Sequence, residues 1–298
     1  MSNVKQKVRA EEAEHPIAPY LRMDRIPHIW CPTCGIGTVV KCYATALEEA
    51  EVDLDKTAII SGIGCTGRVA GYMKLDAFHT THGRAIPFGT GLKLGRPELN
   101  VTVFSGDGDL VGIGGNHFIH AARRNIDLLV ILVNNFIYAM TGGQNAPTTP
   151  LVARSSTMPF GNYEAPFNIP NLAKCCGATY VARWTCLHIR RVTKAFREAL
   201  GKKGFRVIEV ITPCATLYSR LNKLGTGLDL MKFYHDEADI CHGADTRDVE
   251  IDFQSRIVCG KFVDEEKPTF SERREEHYRN KLGDDFVGMP SEGGWLHE

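Results

Sequence analysis

Three features of the sequence predict a doubly wound α/β fold built on a mainly parallel sheet. Apolar runs at 58–60, at 128–133 and, interrupted only by Glu209, at 207–211 lack the alternation of half-exposed strands and read as strands covered on both faces. Each run leads into a glycine-rich or polar turn, namely SGIGCTG, NNF and TPC, and SGDGD ends a further run. Stretches with helical apolar spacing lie between the runs, and strands alternating with helices imply parallel crossovers. In such sheets ligands collect beyond the carboxyl ends of the strands, where these turns fall.

The elements follow in order. Residues 1–26 are polar and mixed in charge, lack the apolar segment that secretion requires, and are read as a loose N-terminal arm. Thr38 to Glu51 places Val39, Cys42, Tyr43, Ala46, Leu47 and Ala50 at helical spacing, followed by the strand TAIISG. NVTVFSGDGD (100–109) and LLVILVNN (128–135) are the next strands, with NHFIHAARRN as a helix between them. GATYVARW, a helix from His188 to Leu200, and FRVIEVITPC extend the same alternation. From 236 onward the chain becomes charged and poor in branched apolar residues. Residues 236–298 are therefore expected to be a C-terminal extension, as a solvated tail, a cap or a partner-docking arm, and 27–235 the domain that carries the chemistry.

With 298 residues and 43% hydrophobic content the chain can bury a sizeable core. Lysine plus arginine and aspartate plus glutamate both number 35, which argues against general attraction to nucleic acid or to an anionic membrane. The longest clean apolar run, Leu128 to Val133, is far too short to span a bilayer, so a soluble, cytoplasmic protein is expected. Ten cysteines in a reducing compartment favour metal or catalytic roles over disulfides, although most free cysteines simply pack as small hydrophobes.

Two glycine turns compete for a phosphate-bearing ligand. Gly62, Gly64 and Gly67 spell G-x-G-x-x-G after a strand, the dinucleotide pattern, but HGR stands about 20 residues on where an acidic residue would hold the ribose. In the other turn, Gly106 and Gly108 let the backbone approach a bulky anion, and Asp107 offers a hard oxygen ligand. Asn134 and Asn135 end the next strand. Asp107, Asn135 and a nearby carbonyl would hold one Mg²⁺ and leave room for a diphosphate.

G-D-G followed by N-N resembles the magnesium and diphosphate motif of thiamine diphosphate enzymes. WCPTCG, HTTHGRAIPFGTGLKL, SGDGD, VNNFIYAMTGGQNAPTTP and GATYVAR resemble, in order, the β subunit of the 2-oxoacid:ferredoxin oxidoreductases, from about Pro27 to Lys267. The resemblance implies the PP-type thiamine diphosphate-binding fold. It also implies Mg²⁺ held by the side chains of Asp107 and Asn135 and the carbonyl of Ile137. Gly106, Gly108 and Asp109 would line the diphosphate site. Ile63, Gly64 and Cys65 would lie near the thiazolium ring, with Tyr138, Met140 and Thr141 completing the wall and His82 and Cys65 as catalytic side chains. Gly142, Gly143 and Gln144 would shape the substrate pocket; some members carry a lysine at the position of Gly142, and this chain departs from them there.

Cys31 and Cys34 are half a metal site, and spacing alone does not supply the other half. The resemblance names Cys65 and Cys214 as the remaining ligands of a [4Fe–4S] cluster. Oxidative decarboxylation leaves two electrons that must depart; a cluster relays them one at a time, whereas zinc has no redox chemistry. Cys42, Cys175, Cys176, Cys186, Cys241 and Cys259 are assigned to packing. No glutamate suited to activate the aminopyrimidine ring stands in a matching motif, so the resemblance places it, with a substrate-binding arginine, on an α subunit in an αβ or (αβ)₂ assembly. The expected reaction consumes a 2-oxoacid, CoA and oxidised ferredoxin. SRLNKLGTGLDLMKFYH (219–235) resembles the 2-oxoglutarate branch more than the pyruvate branch. The rival readings are a zinc-stabilised binding subunit and a dinucleotide dehydrogenase.

Overall fold

The computed structural model describes residues 15–288. Its strands are β1 (Thr57–Ser61), β2 (Asp76–His79), β3 (Asn100–Gly106), β4 (Leu128–Asn134), β5 (Ile137–Tyr138), β6 (Gln144–Asn145), β7 (Tyr180–Thr185), β8 (Phe205–Ile211), β9 (Ala238–Ile240) and β10 (Ile257–Asp264). The helices are α1 (Ile36–Glu49), α2 (Ala85–Gly95), α3 (Gly115–Arg123), α4 (Ile169–Cys175), α5 (Ile189–Leu200), α6 (Gly227–Asp236) and α7 (Phe270–Leu282). Eight strands form one sheet in the order β2-β1-β3-β4-β8-β7-β10-β9, and β5 and β6 form a separate small hairpin. Pairing from β2 through β7 is parallel; β10 runs antiparallel to β7 and carries β9 parallel to itself.

The apolar runs form strands because the sheet is covered on both sides. Along β4, Leu129, Ile131 and Val133 join the core that contains α1, α5 and α6, while Leu128, Val130 and Leu132 join the core of α2, α3 and α4. Alternate side chains enter different cores, so neither set can be polar. Every residue of β1, β4, β7 and β8 is buried, whereas all four residues of β2, at the sheet's edge, are exposed. Because β1, β3, β4 and β8 run parallel, the turns after them emerge along one edge.

Two expectations change. From residue 15 the arm is docked: Ile17 and Ala18 are buried, Arg22 N–H donates to the Tyr72 carbonyl and Lys74 N–H to the Tyr20 carbonyl; residues 1–14 lie outside the described residues. The segment from 236 is likewise not uniformly solvated, since β9 and β10 extend the main sheet and only α7, with no buried residue, is the solvated helix that its charge implied. Short apolar content hid β10: Ile257, Val258, Cys259 and Val263 are its buried side chains.

Burying Ile257, Val258 and Val263 contributes roughly 1.5–3 kcal/mol each, a sum comparable to the ~5–15 kcal/mol stability of a whole domain. A chain ending after Lys267 should therefore stay soluble with a Tm within a few degrees of the full chain, and one ending after Glu237 should not fold. Soluble yield and thermal melts of the two truncations check this; equal Tm values would return β10 to a dispensable tail.

Candidate active site

The edge holds two adjoining cavities. The first, of about 60 Å³, lies among the turns 63–66, 106–109 and 135–141 and His82. The second, of about 190 Å³, is ringed by Cys31, Cys34, Cys65 and Cys214, with Trp30 and Arg68 also on its wall. Cys65, Asn135, Ala139 and Met140 line both.

Asp109 ties the first cavity's loops together. Its Oδ1 accepts from Gly83 N–H at 2.8 Å and Ile63 N–H at 3.2 Å, its Oδ2 accepts from Ser105 Oγ at 2.8 Å, and His82 Nδ1 stands 2.5 Å from Oδ1. Asp109 is expected from the sequence to line the diphosphate site. It borders the cavity, but its carboxylate is spent on two backbone N–H groups and a hydroxyl, and His82 Nδ1 lies close by outside hydrogen-bond geometry. This also explains the first glycine motif, because a Cβ at Gly62 would stand 1.7 Å from Asp109 Oδ2. The chain after β1 enters a short 3₁₀ turn, Thr66–Gly71, instead of the long helix whose N-terminus would receive a dinucleotide pyrophosphate.

Asp107 is the opposite case. Its buried carboxylate meets one side-chain partner, Thr148 Oγ, which donates to Oδ2 at 2.5 Å, and burial pushes its pKa up to about 7. No cationic side chain pairs with it among the described residues. A dry carboxylate on a cavity wall beside Asn135 fits a divalent cation, whose charge would repay the desolvation. Gly108 has a packing role that its motif does not reveal: a Cβ there would lie 2.3 Å from the Tyr138 ring, and Tyr138 Oη donates to the Gly108 carbonyl at 3.0 Å. A Cβ at Gly106 would meet Thr66 Oγ1 at 3.6 Å, an ordinary contact, and its absence bares the backbone to an approaching anion.

Around the second cavity, Trp30 Nε1–H donates to the Cys65 carbonyl at 2.8 Å and Cys34 N–H to the Cys31 carbonyl at 3.1 Å, joining the CPTC turn to the loop after β1. Burial raises the Cys34 thiol to about 12, and the proximity of Cys65, Cys214 and Cys31 adds to the shift. The Cys65 and Cys214 thiols are raised mainly by burial too, and each feels its neighbours. Four mutually repelling thiolates need a cationic centre to ionise together. Among the described residues no three of His, Cys, Asp or Glu are grouped so as to hold a single metal ion. The four thiols share a cavity of about 190 Å³.

Ile63, Gly64, Cys65, His82, Gly106, Asp107, Gly108, Asp109, Asn135, Ile137, Tyr138, Met140 and Thr141 all line the first cavity. Sequence reasoning missed Thr66, Ala139 and Thr148; the last sits in the quoted motif NAPTTP, where a buried hydroxyl carries no spacing signal. Of the cysteines assigned to packing, Cys42, Cys186 and Cys259 are buried and Cys176 half-buried, but Cys175 and Cys241 are exposed.

At one edge the parallel sheet thus presents a glycine turn, a buried carboxylate without a cationic partner and an asparagine after a strand, the kind of edge at which α/β folds bind phosphate-bearing ligands. The family model for the thiamine pyrophosphate enzyme C-terminal TPP-binding domain matches residues 62–210. The chain is 47% identical over 259 residues to the 2-oxoglutarate synthase subunit KorB of Methanocaldococcus jannaschii, covering 87% of this chain and 95% of that protein. It is 53% identical over 199 residues to the KorB subunit of Archaeoglobus fulgidus, covering 67% of this chain and 74% of the relative. A solved 2-oxoglutarate:ferredoxin oxidoreductase from Magnetococcus marinus, with 2-oxoglutarate, coenzyme A and succinyl-CoA bound, superposes with a TM-score of 0.80 at 30% identity over 94% of each chain. The chain belongs to the β-subunit family of the 2-oxoacid:ferredoxin oxidoreductases, which includes these KorB subunits.

Asp109→Asn would set an amide NH₂ among donors, and Gly62→Ala would push a methyl group into the same carboxylate. Each should destabilise the chain by about 1–3 kcal/mol and abolish the rise in Tm that Mg²⁺ and thiamine diphosphate give the wild type. Thermal melts with and without both ligands test this; an unchanged ligand response in either variant would remove Asp109 from its organising role.

Proposed function

We propose that the chain is the thiamine diphosphate-binding β subunit of a 2-oxoglutarate:ferredoxin oxidoreductase. The reaction converts 2-oxoglutarate, CoA and two oxidised ferredoxins to succinyl-CoA, CO₂, two reduced ferredoxins and a proton. The observation that carries the reading is the shared wall of the two cavities: Cys65 and Asn135 border both, so a donor in one and an acceptor in the other sit in contact. Thiamine diphosphate supplies the electron sink that cleaves the carboxylate, and a [4Fe–4S] cluster supplies one-electron steps outward.

This chain's residues have separable tasks. Asp107, Asn135 and the Ile137 carbonyl hold Mg²⁺, and Gly106 leaves space for the diphosphate. His82, which lines the cavity with Nδ1 beside Asp109 Oδ1, is the side chain able to hold or move a proton there. Cys31, Cys34, Cys65 and Cys214 hold the cluster. A cavity of about 60 Å³ is far smaller than the ~300–1,000 Å³ of complete small-molecule sites. The chain therefore offers one wall, and an α subunit supplies the other with the activating glutamate and the substrate-binding arginine. The names and bound ligands of the relatives support 2-oxoglutarate and CoA as substrates. No helix among the described residues is long and apolar enough to cross a membrane, which agrees with a cytoplasmic site of action.

Anaerobically purified with its α partner, the complex should contain about four irons per β chain from this cluster and oxidise 2-oxoglutarate with higher kcat/KM than pyruvate. Asp107→Ala should lose Mg²⁺-dependent cofactor binding yet keep its iron, and Cys214→Ser the reverse. One zinc in place of iron, or a preference for pyruvate, would overturn the cluster or the substrate respectively.

The β chain alone, iron-replete and given every substrate, should not turn over. Measurable CoA-dependent 2-oxoglutarate oxidation by the isolated chain would show that the glutamate is not on a partner.

A further inference from the structure

A buried relay runs from the segment after β9 to the turn that presents the magnesium ligands. Arg183 on β7 and Glu209 on β8 are register partners deep in the sheet, each 1% exposed, and Arg183 Nε donates to Glu209 Oε2 at 2.6 Å. Arg183 Nη1 donates to the Val249 carbonyl at 2.5 Å. The other carboxylate oxygen, Oε1, accepts from Asn134 Nδ2 at 2.8 Å, and Asn134 Oδ1 accepts from Phe136 N–H at 3.0 Å. The donor and acceptor sides of Asn134 are thereby fixed: its amide must face the carboxylate and its oxygen must face the backbone.

Phe136 is where this constraint acts. It has φ +63°, a left-handed conformation unfavourable for an aromatic residue, and it stands between Asn135 and Ile137. Asn134 clamps its N–H, and Thr149 Oγ donates to its carbonyl at 2.6 Å. The neighbouring Thr148 donates to Asp107, so the segment that secures the strained residue also secures the third ligand. If the clamp is released, Phe136 can relax to negative φ, and the flanking Asn135 side chain and Ile137 carbonyl turn away from Asp107.

We infer that Glu209 and Asn134 are positioning residues for metal binding: held by Arg183 and the Val249 carbonyl, they keep Phe136 left-handed so that Asn135 and Ile137 converge with Asp107 on the cation. The inference rests on the assignment of those three residues to the metal under Proposed function. It gives the chain beyond residue 236 a part in cofactor affinity, through a buried contact far from any surface tail.

The relay has a polarity that a swap can test. Asn134→Asp alone sets two carboxylates face to face. Glu209→Gln alone cannot accept from both Arg183 and Asn134 without opposing two donors. Combined, they restore every hydrogen bond and the net charge, because the introduced amide donates to the introduced carboxylate while still accepting from Arg183. In the complex with its α partner, Mn²⁺ binding is titrated by electron paramagnetic resonance at fixed thiamine diphosphate, with no turnover. Each single variant should raise half-saturation about tenfold and the pair return it to within about threefold of wild type, the non-additivity of residues in one network. At saturating metal kcat should stay within about twofold in every variant that folds. Should a single variant fail to fold, Arg183→Lys, which keeps a cation against Glu209 and gives up Val249, should weaken binding in the same direction. Wild-type affinity in the single variants or in Arg183→Lys, or no recovery in the pair, overturns the relay. Absence of thiamine-dependent Mn²⁺ binding by the wild-type complex would instead overturn the assignment of the metal site.

Discussion

The Asp109 carboxylate is the constraint on which the cofactor edge depends. It lies just past β3, at the start of a π-helical segment, Gly108–Ile113, and accepts from the loop after β1, from the His82 loop and from Ser105 on β3 itself. These bonds add to the pair that Thr80 donates to the Ser61 carbonyl, and together they hold the ends of β1, β2 and β3 as one edge. A buried carboxylate is costly to desolvate unless donors surround it, and here the donors come from the loops that it draws together.

Asp107, two residues earlier, is buried as deeply and left nearly unpaired. The pair divides the labour of a GDGD turn: one carboxylate is satisfied by protein and builds the wall, the other is unsatisfied and calls for a cation. The four thiols repeat the second pattern. Burial raises the pKa values of Cys34, Cys65 and Cys214, and repulsion from neighbouring thiolates adds to the shift, so a cationic centre would repay their ionisation. Both sets open on cavities whose common wall is Cys65, Asn135, Ala139 and Met140.

The continuous apolar runs disclosed the doubly wound sheet because burial on both faces leaves no room for polar alternation, and β1, β3, β4, β7 and β8 follow from them directly. β2 and β10 did not show, the first because a short exposed edge strand carries little apolar signal, the second because charged flanks mask its five buried residues. Within the site, Asp107, Asn135, Cys31 and Cys34 stood out by residue type and spacing, whereas Cys65 and Cys214 were named only through the family resemblance; the structure brings the four cysteines to one cavity. Thr148 and the pair Arg183 and Glu209 did not stand out. Their partners lie 41 and 26 residues away, and only the tertiary fold brings them together. Asp109 was read as a ligand wall for the same reason: spacing shows that a carboxylate is present, not which donors reach it.

The motif Gly62, Gly64, Gly67 shows how one pattern can arise from two causes. In a dinucleotide fold the glycines admit a pyrophosphate and let a helix approach a strand. Here Gly62 admits the Asp109 carboxylate of the chain itself, Gly64 has φ +101° with open space at its Cβ, and Gly67 leaves no room for a Cβ beside the Gly62 carbonyl. The shared physical demand is close approach of an anion to backbone, and the sequence records the demand without recording whose anion it is. What separates the cases is the element that follows: a long helix aims a positive terminus at a phosphate, whereas a six-residue 3₁₀ turn ends too soon to do so and instead delivers Cys65 to the thiol ring.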